Sequence, residues 1–543
     1  MINNLIFLRF LLVITFCGQV SFAQGDKPYN ILWITVEDMS PKLGCYGDKI
    51  ANTPNIDRLA TEGVRYTNAY ATYGVCAPSR HTLITGMYPT STGAMAMRTW
   101  KRTSALSDIT DPELLNIPVY EATPPAGVKC FSEYFRAAGY YCTNNSKTDY
   151  QFKEPITAWD DSSENAHWRN RPSESKPFFS VFNSMTTHEG RIFKKYNPEV
   201  TEPNDIKVPP YYPDTKVIRQ DIARHYDNIH AMDRWVGDLM AQLKDDGLLD
   251  NTIIFFFSDH GDGLPRAKRW VYDSGIQVPL IIRYPDGYKA GTVNNELVSF
   301  IDFAPTTMSV AGLIPPDYME GNVFLGDKKE EPRDYIYAFR DRMDPAPETI
   351  RAVRDKRFKY VYNYRPELPY LGFIPYRDKA AIMQEILKLK KDGELKKDQW
   401  QFWAERKSLE ELYDTQNDPF EIHNLASNPN YFQKLNELRN AHINFIEEYG
   451  DLGLIPESEL IEILWPPHGK QPVTAAPKIS ISEKTIILSS ETEGASIAYR
   501  FNQNDNWQLY SNPIKNDKNS SSIEAVAIRI GWEQSKIVKE EIH

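Results

Sequence analysis

The sequence predicts an α/β fold: a mostly parallel sheet with helices on both faces, then a smaller C-terminal antiparallel α+β subdomain, then a small appended β-sandwich. Three observations predict it. Apolar runs of strand length recur along the N-terminal part of the chain. Segments of helical period lie between them. Acidic residues stand where the runs end, the place where open α/β sheets carry their sites.

The elements follow in order. Ile31-Leu32-Trp33-Ile34-Thr35-Val36 lacks polar alternation, as expected of a strand covered on both faces. Thr53-Pro54 opens a helix through Leu59 that Gly63 closes. Another helix is expected from Cys76. Pro78 suits its first turn, where a missing N–H costs nothing, and Gly86 suits the position just past its end. Phe178 to Phe182 is a short apolar strand, and Ile253 to Phe257 and Val278 to Ile282 are two more. Met232, Val236, Leu239 and Leu243 repeat at helical spacing and are core residues. Beyond Arg333, Tyr335 to Phe339 and Phe358 to Tyr362 alternate like half-buried strands. The lysine-rich stretch from Lys379 to Lys397 reads as a solvated helical face. Trp465 to Pro472 reads as a linker from its prolines. After it, short runs such as Ile486-Ile487-Leu488 are of β type. The expected division is 1–23 targeting segment, 24–332 main domain, 333–465 subdomain, 466–477 linker and 478–543 β-sandwich.

With 543 residues, 41% hydrophobic and 25% charged, the chain can build one large α/β domain plus smaller units. Its net charge of −11 excludes a general nucleic-acid binder and requires that any site for a polyanion be locally basic. Leu5 to Cys17 is almost entirely apolar, and Ser21-Phe22-Ala23 precedes Gln24 like a small-residue cleavage site. A signal peptide removed after Ala23, and a periplasmic or secreted protein, are expected. No later stretch approaches the ~20 apolar residues of a membrane span, so no stable membrane insertion is expected. Of the remaining cysteines, Cys45, Cys76, Cys130 and Cys142, the last two flank a helical stretch and are candidates for a bridge.

The chemistry concentrates in Cys76-Ala77-Pro78-Ser79-Arg80-His81-Thr82-Leu83-Ile84-Thr85-Gly86. A cysteine with Pro78 and Arg80 at these offsets, ahead of Thr85-Gly86, resembles the pattern that sulfatase-maturing enzymes read when they convert cysteine to formylglycine. Cys76 then stands at a helix N-terminus, where free N–H groups and the positive dipole end favour an anion. Arg80, one turn on, can reach back to a charged oxygen. Glu37-Asp38 closes the first strand, and Asp259-His260-Gly261 closes the strand at Ile253–Phe257. Donors from two strand ends can converge on one divalent ion beside a nucleophile.

From about Asn30 to Ala426 the chain resembles the type I sulfatases, which share the alkaline-phosphatase-like α/β fold. The matching segments are Asn30–Asp38, Thr53–Ala60, the Cys76 motif, and Leu248–Thr252 leading to Ser258–Gly261. Lys268–Pro279, Ile301–Thr306, Leu412–Asp414, Asp418-Pro419 and Asn424–Ala426 match as well. Within the family it looks most like bacterial polysaccharide sulfatases similar to heparan N-sulfatases. The resemblance implies that Glu37, Asp38, Asp259 and His260, together with Cys76 as 3-oxoalanine, hold one Ca2+ ion. Glu37 stands where Asp is usual and His260 where Asn is commoner, and nitrogen is the poorer calcium ligand. It further implies Lys268 as a sulfate-binding lysine, His188 as the leaving-group acid, and Lys147 as the partner of formylglycine and sulfate. The family's Lys-x-His is replaced by Lys147-Thr148-Asp149, which makes Asp149 a candidate for a base or a substrate contact; His81, beside the motif arginine, is another candidate, set against a packing role. His225 and His230 are read as structural or surface groups.

The reaction so implied has two steps. One hydroxyl of the hydrated aldehyde attacks sulfur while the metal, Lys147 and Lys268 stabilise the sulfuryl oxygens. His188 protonates the departing alcohol, and loss of a proton from the second hydroxyl then expels sulfate. The expected protein is an exported sulfatase acting on a sulfated polysaccharide or oligosaccharide, ulvan-like or glycosaminoglycan-like, and matured by a sulfatase-maturing enzyme. The alternatives are a phosphonate or phosphodiester hydrolase of the same superfamily, an N-sulfoglucosamine sulfohydrolase, and a catalytically silent glycan binder. The terminal β module resembles the small sandwich appended to some bacterial chitobiases and is read as packing.

Overall fold

The run from Asn30 to Val36 is apolar on both of its faces because it forms a strand buried along its whole length. The computed structural model describes residues 28–99, 115, 117–516 and 520–542; the targeting segment read at 1–23 lies outside the described residues. Strand β1 (Asn30–Val36) sits inside an eight-stranded sheet with β2 (Val64–Tyr70), β3 (Tyr141–Asn145), β4 (Asp161–Ser162), β5 (Phe178–Ser184), β6 (Thr252–Ser258), β7 (Gln277–Arg283) and β8 (Thr292–Ser299). The order is β4-β3-β5-β1-β6-β7-β2-β8. β1 pairs in parallel with β5 on one side and β6 on the other. The structure qualifies the reading at Val278–Ile282: β7 runs antiparallel to both β6 and β2. A strand's apolar run reveals its burial but not its direction.

Successive side chains of β1 point to opposite faces. Leu32, Ile34 and Val36 enter one core with helix α1 (Pro54–Glu62) and the long helix α4 (Lys216–Asp245). Ile31 and Trp33 enter the other, where Trp33 meets Phe131, Phe179, Phe255, Phe257 and Phe303. Met232, Val236, Leu239 and Leu243 of α4 are all buried, so truncating one of them to alanine is worth ~2–5 kcal/mol.

Helix α2 (Cys76–Thr85) is buried at every position, including its polar ones. Each polar side chain therefore has to be satisfied inside the protein. Ser79 Oγ donates to the Asp259 carbonyl (2.6 Å), Thr82 Oγ1 meets Thr72 Oγ1 (2.8 Å), and Thr85 Oγ1 donates to the His81 carbonyl (2.7 Å). Gly86 ends the helix at φ 69°, a left-handed position that glycine takes without steric cost. Helix α3 (Ser132–Ala137) leads into β3. Cys130 and Cys142, the candidates for a bridge, are free buried thiols. Cys142 Sγ donates instead to the Ser132 carbonyl (3.6 Å).

Strands β9 (Ile336–Arg340), β10 (Ile350–Arg354), β11 (Phe358–Asn363) and β12 (Glu410–Asp414) form an antiparallel meander. A helix over Phe432–Tyr449 packs on it through Leu435, Leu438 and Ala441. The lysine-rich stretch is amphipathic rather than wholly solvated: the helix Ala381–Asp392 buries Ile382, Met383, Ile386 and Leu389. The last part of the chain forms a three-stranded and a four-stranded sheet around Ile486, Leu488, Ile497 and Ile523. It rests on the main domain: Lys129 Nζ donates to Ser496 Oγ (2.6 Å) and Arg136 Nη2 to the Trp507 carbonyl (3.0 Å). The segment read as a linker is partly structural, since Trp465 is buried with its indole N–H on Thr123 Oγ1 and the Gly531 carbonyl, and Thr474 pairs with Glu533. Among the described residues no helix is long and apolar enough to cross a membrane.

Candidate active site

Because β1 and β6 are neighbours in register, their acidic ends lie side by side. The Asp259 N–H donates to the Val36 carbonyl (2.9 Å), and the Asp38 N–H donates to Asp259 Oδ1 (3.0 Å). Asp38 sits at φ 53°, an uncommon conformation that aspartate tolerates better than most residues. Glu37, Asp38, Asp259 and His260 are completely buried. The N-terminus of α2 points Cys76 at them: its Sγ lies 3.4 Å from Glu37 Oε2, 3.4 Å from His260 Nε2 and 3.8 Å from Asp38 Oδ1.

Cations surround this cluster. Arg80 donates through Nη2 to Glu37 Oε1 and through Nη1 to Asn183 Oδ1 (2.8 Å), and its Nε is 3.4 Å from Asp259 Oδ2. Lys147 Nζ is 3.3 Å from Glu37 Oε2 and 3.8 Å from Asp149 Oδ2. Lys268 Nζ reaches Asp38 Oδ2 (2.6 Å) and Glu189 Oε1 (3.1 Å). Burial works to neutralise all these groups, yet Lys147 and Arg80 hold the Glu37 carboxyl well below its usual range, and Lys268 does the same for Asp38. Asp259 goes the other way: burial, then the charge of Glu37, push it well above the usual carboxylate range.

That imbalance tests whether a metal fits. Asp259 Oδ2 is buried and accepts no hydrogen bond from any described residue. Ligand atoms of Asp38, Cys76, Asp259 and His260, and those of Glu37, Asp38, Cys76 and His188, lie within 4.8 Å of one another. A carboxylate-rich donor set around an orphaned oxygen suits a hard divalent cation. His260 adds a nitrogen donor whose Nδ1 lies 3.0 Å from the Gly261 carbonyl, the kind of second bond that orients a ligating histidine.

His188 follows β5 and accepts the Gly190 N–H at Nδ1 (3.1 Å), so the neutral ring carries its proton on Nε2. Asp149 is brought to the site, but as a partner of Lys147 and of Arg98, whose Nη2 donates to its Oδ2 (3.0 Å). His225 and His230 stay outside: His225 Nε2 pairs with buried Asp262 (3.2 Å), and His230 Nε2 accepts the Asn52 N–H (3.1 Å).

The candidacy of His81 for substrate contact is corrected by the structure. It is fully buried, Nδ1 is 2.9 Å from the Tyr150 carbonyl, and Nε2 is 2.8 Å from Thr92 Oγ1, so both nitrogens are committed. Burial lowers it to about 4, whereas in an unfolded chain it titrates near ~6.5. Its neutral form is what the fold accommodates, so its contribution is full above pH ~6.5 and is lost as pH falls toward 4. His81→Ala is expected to cost ~2–4 kcal/mol and to flatten the decline of Tm between pH 7 and pH 5. Thermal melts across that range check it; an unchanged melting profile would count against the structural role.

Residues with no motif of their own complete the site. Glu189 takes a bidentate pair from Arg269 (2.7 and 3.0 Å) and, against burial, is held down at about 2 by Arg269 and Lys268. Asn183, at the end of β5, braces Arg80. Glu189 and Asn183 could have been found from their positions at a strand end beside His188. Arg98 carried no such signal.

A family model described as "Sulfatase" matches residues 29–313, and one described as "N-sulphoglucosamine sulphohydrolase, C-terminal" matches residues 266–398. An "Ulvan-active sulfatase" of Formosa agariphila is 45% identical over 95% of this chain and 91% of its own length. The human N-sulphoglucosamine sulphohydrolase is 24% identical over 76% of this chain and 89% of its own. Among solved structures, the phosphonate monoester hydrolase of Agrobacterium radiobacter superposes with a TM-score of 0.56 at 18% identity, covering 78% of this chain and 97% of its own, which is a likeness of fold.

Proposed function

Because this chain belongs to the sulfatase family, whose members hydrolyse sulfuric esters, we propose that its pocket removes sulfate from a sulfated polysaccharide of the ulvan type, with the matured side chain of residue 76 as nucleophile. The observation that carries this is Cys76 Sγ at the mouth of a buried carboxylate cluster, 3.4 Å from both Glu37 and His260, on the N-terminus of a helix that bears the maturation pattern. The sulfur stands in for the oxygens of a hydrated aldehyde. The similarity to the ulvan-active relative, which extends over nearly the whole of both chains, supports the substrate class.

The chain's own residues have distinct tasks. Lys147 and Lys268 flank the nucleophile and neutralise the sulfuryl oxygens, and Arg80 ties Glu37 to α2 so that strand end and helix keep one geometry. His188 offers its Nε2 proton to the leaving oxygen. Asp149 positions Lys147 from behind. Glu37, Asp38, Asp259 and His260 would hold a divalent cation, calcium from the preponderance of carboxylates, and that ion would supply Lewis-acid stabilisation of the anionic oxygens. The apolar run Leu5 to Cys17, with its small-residue cleavage pattern, supports a periplasmic or secreted location.

The test is ion chromatography of the products from sulfated polysaccharides incubated with protein coexpressed with a sulfatase-maturing enzyme. Release of sulfate from ulvan-type chains is the expected result. Release of phosphate from phosphonate or phosphodiester substrates, without sulfate from any glycan, would overturn it.

A further inference from the structure

Lys147, Lys268 and Arg80 are all committed to the cluster around residue 76. Arg98 is not. It lies one step outward, its side chain 34% exposed, with Nη2 on Asp149 and with Nε buried and unpartnered among the described residues. Its backbone is fixed from two sides. The Met97 carbonyl accepts the Asp344 N–H (2.7 Å) and the Arg98 carbonyl accepts Arg342 Nη2 (3.2 Å). On the other side the Thr99 N–H reaches Gln151 Oε1 (3.4 Å), and Gln151 is itself buried and donates to the carbonyls of Ala94 and Ala96. An arginine held this way is placed beside the Asp149–Lys147 pair, with Nη1 the fork nitrogen that has no partner among the described residues.

On the His188 side of the site stands Tyr376. Its ring is 6.3 Å from that of His188 and 5.2 Å from that of Phe193, and it is 38% exposed. Gly190 is what admits it: a Cβ there would meet the Tyr376 hydroxyl at 2.6 Å. Its loop is anchored by buried Ile374 and by Arg377 Nη2 on the Gly372 carbonyl (2.9 Å). Of the walls around the site, the His188 side therefore offers an aromatic face and the Asp149 side a guanidinium.

We propose that these walls form a saccharide subsite in which Tyr376 packs on the sugar bearing the scissile sulfate and Arg98 holds a second anionic substituent, a carboxylate or another sulfate. The assignment rests on the sulfatase reading above. A planar, partly exposed guanidinium suits recognition of either group, and a rigid aromatic suits the apolar face of a sugar ring. Asp149 and Asp344 keep the mouth mixed in sign, so selection comes from the fork and not from a general positive field.

Three substrates test it on the matured enzyme: a sulfated oligosaccharide containing a uronate, the same compound with its carboxyl reduced to an alcohol, and a congener lacking the second sulfate. Loss of the recognised anion is expected to lower kcat/KM by ~10–100-fold, with the two derivatives telling which group it is. Arg98→Ala should bring that ratio close to one, and Arg98→Lys, which keeps the charge but not the fork, should leave it intermediate. Tyr376→Ala should raise KM about 10-fold for all three alike. Equal kcat/KM for all three in the wild type, or undiminished discrimination in both Arg98 variants, overturns the subsite alone. No sulfate from any of them overturns the activity reading, and the subsite falls with it.

Discussion

Cys76→Ala is expected to lower the rate of sulfate release by at least ~10^4-fold while leaving the fold intact. Residue 76 begins a helix whose every side chain is buried, and alanine removes a single atom there. The hydrogen bonds that seat α2 through Ser79, Arg80, Thr82 and Thr85 do not involve the sulfur. The loss is therefore chemical. Cys76→Ser sharpens the point. A serine oxygen can attack sulfur and release the alcohol once, but it has no second hydroxyl with which to expel sulfate, so at most one equivalent of desulfated sugar should form, leaving sulfated protein detectable by mass. In wild-type protein coexpressed with a maturing enzyme, the tryptic peptide Tyr66–Arg80 should be lighter by the thiol-to-aldehyde difference. Sustained turnover by Cys76→Ala would remove residue 76 from the mechanism.

The parts of this site that could be read in the sequence are those fixed by local order. Glu37-Asp38 and Asp259-His260 end apolar strands, and a parallel pairing of those strands is enough to bring them together. The Cys76 helix is legible because Pro78 and Gly86 mark its ends. What escaped depends on tertiary approach. His81 looks like chemistry beside Arg80, but on a helix the next residue points to another face, here into Tyr150 and Thr92. A bond between Cys130 and Cys142 turns on where two buried side chains point, which flanking a helix does not determine. Arg98 and Tyr376 come to the site from distant segments, one tied in by loop–loop pairing and the other admitted where Gly190 leaves room. The direction of β7 was hidden for a similar reason, since the apolar run Val278–Ile282 carries no mark of its neighbours' direction.

The second large effect concerns the carboxylates. Chelating divalent cations is expected to abolish activity and to lower Tm in wild type, and to leave the Tm of Asp259→Asn unmoved. Glu37, Asp38 and Asp259 are fully buried, and the protein's own cations balance them unequally: Lys147 and Arg80 serve Glu37, Lys268 serves Asp38, and Asp259 Oδ2 has Arg80 Nε at 3.4 Å but accepts no hydrogen bond from any described residue. Burying a charge without full compensation is costly, so an ion that binds only the folded state has much to gain here. At a hundredfold excess over its Kd such an ion adds about 2.7 kcal/mol, several degrees in Tm for a domain of moderate size. Asn at position 259 keeps the Oδ1 that accepts the Asp38 N–H while removing a carboxylate that burial and the charge of Glu37 disfavour in the metal-free site. The variant should thus fold at least as stably as the metal-free wild type, yet lose at least ~10^3-fold in kcat because one ligand of the ion is gone. Added calcium should restore wild-type Tm and activity together. A wild type whose Tm and turnover both ignore chelation would show that Lys147, Lys268, Arg80 and His260 neutralise the cluster without an ion, and the orphaned oxygen of Asp259 would then need another partner.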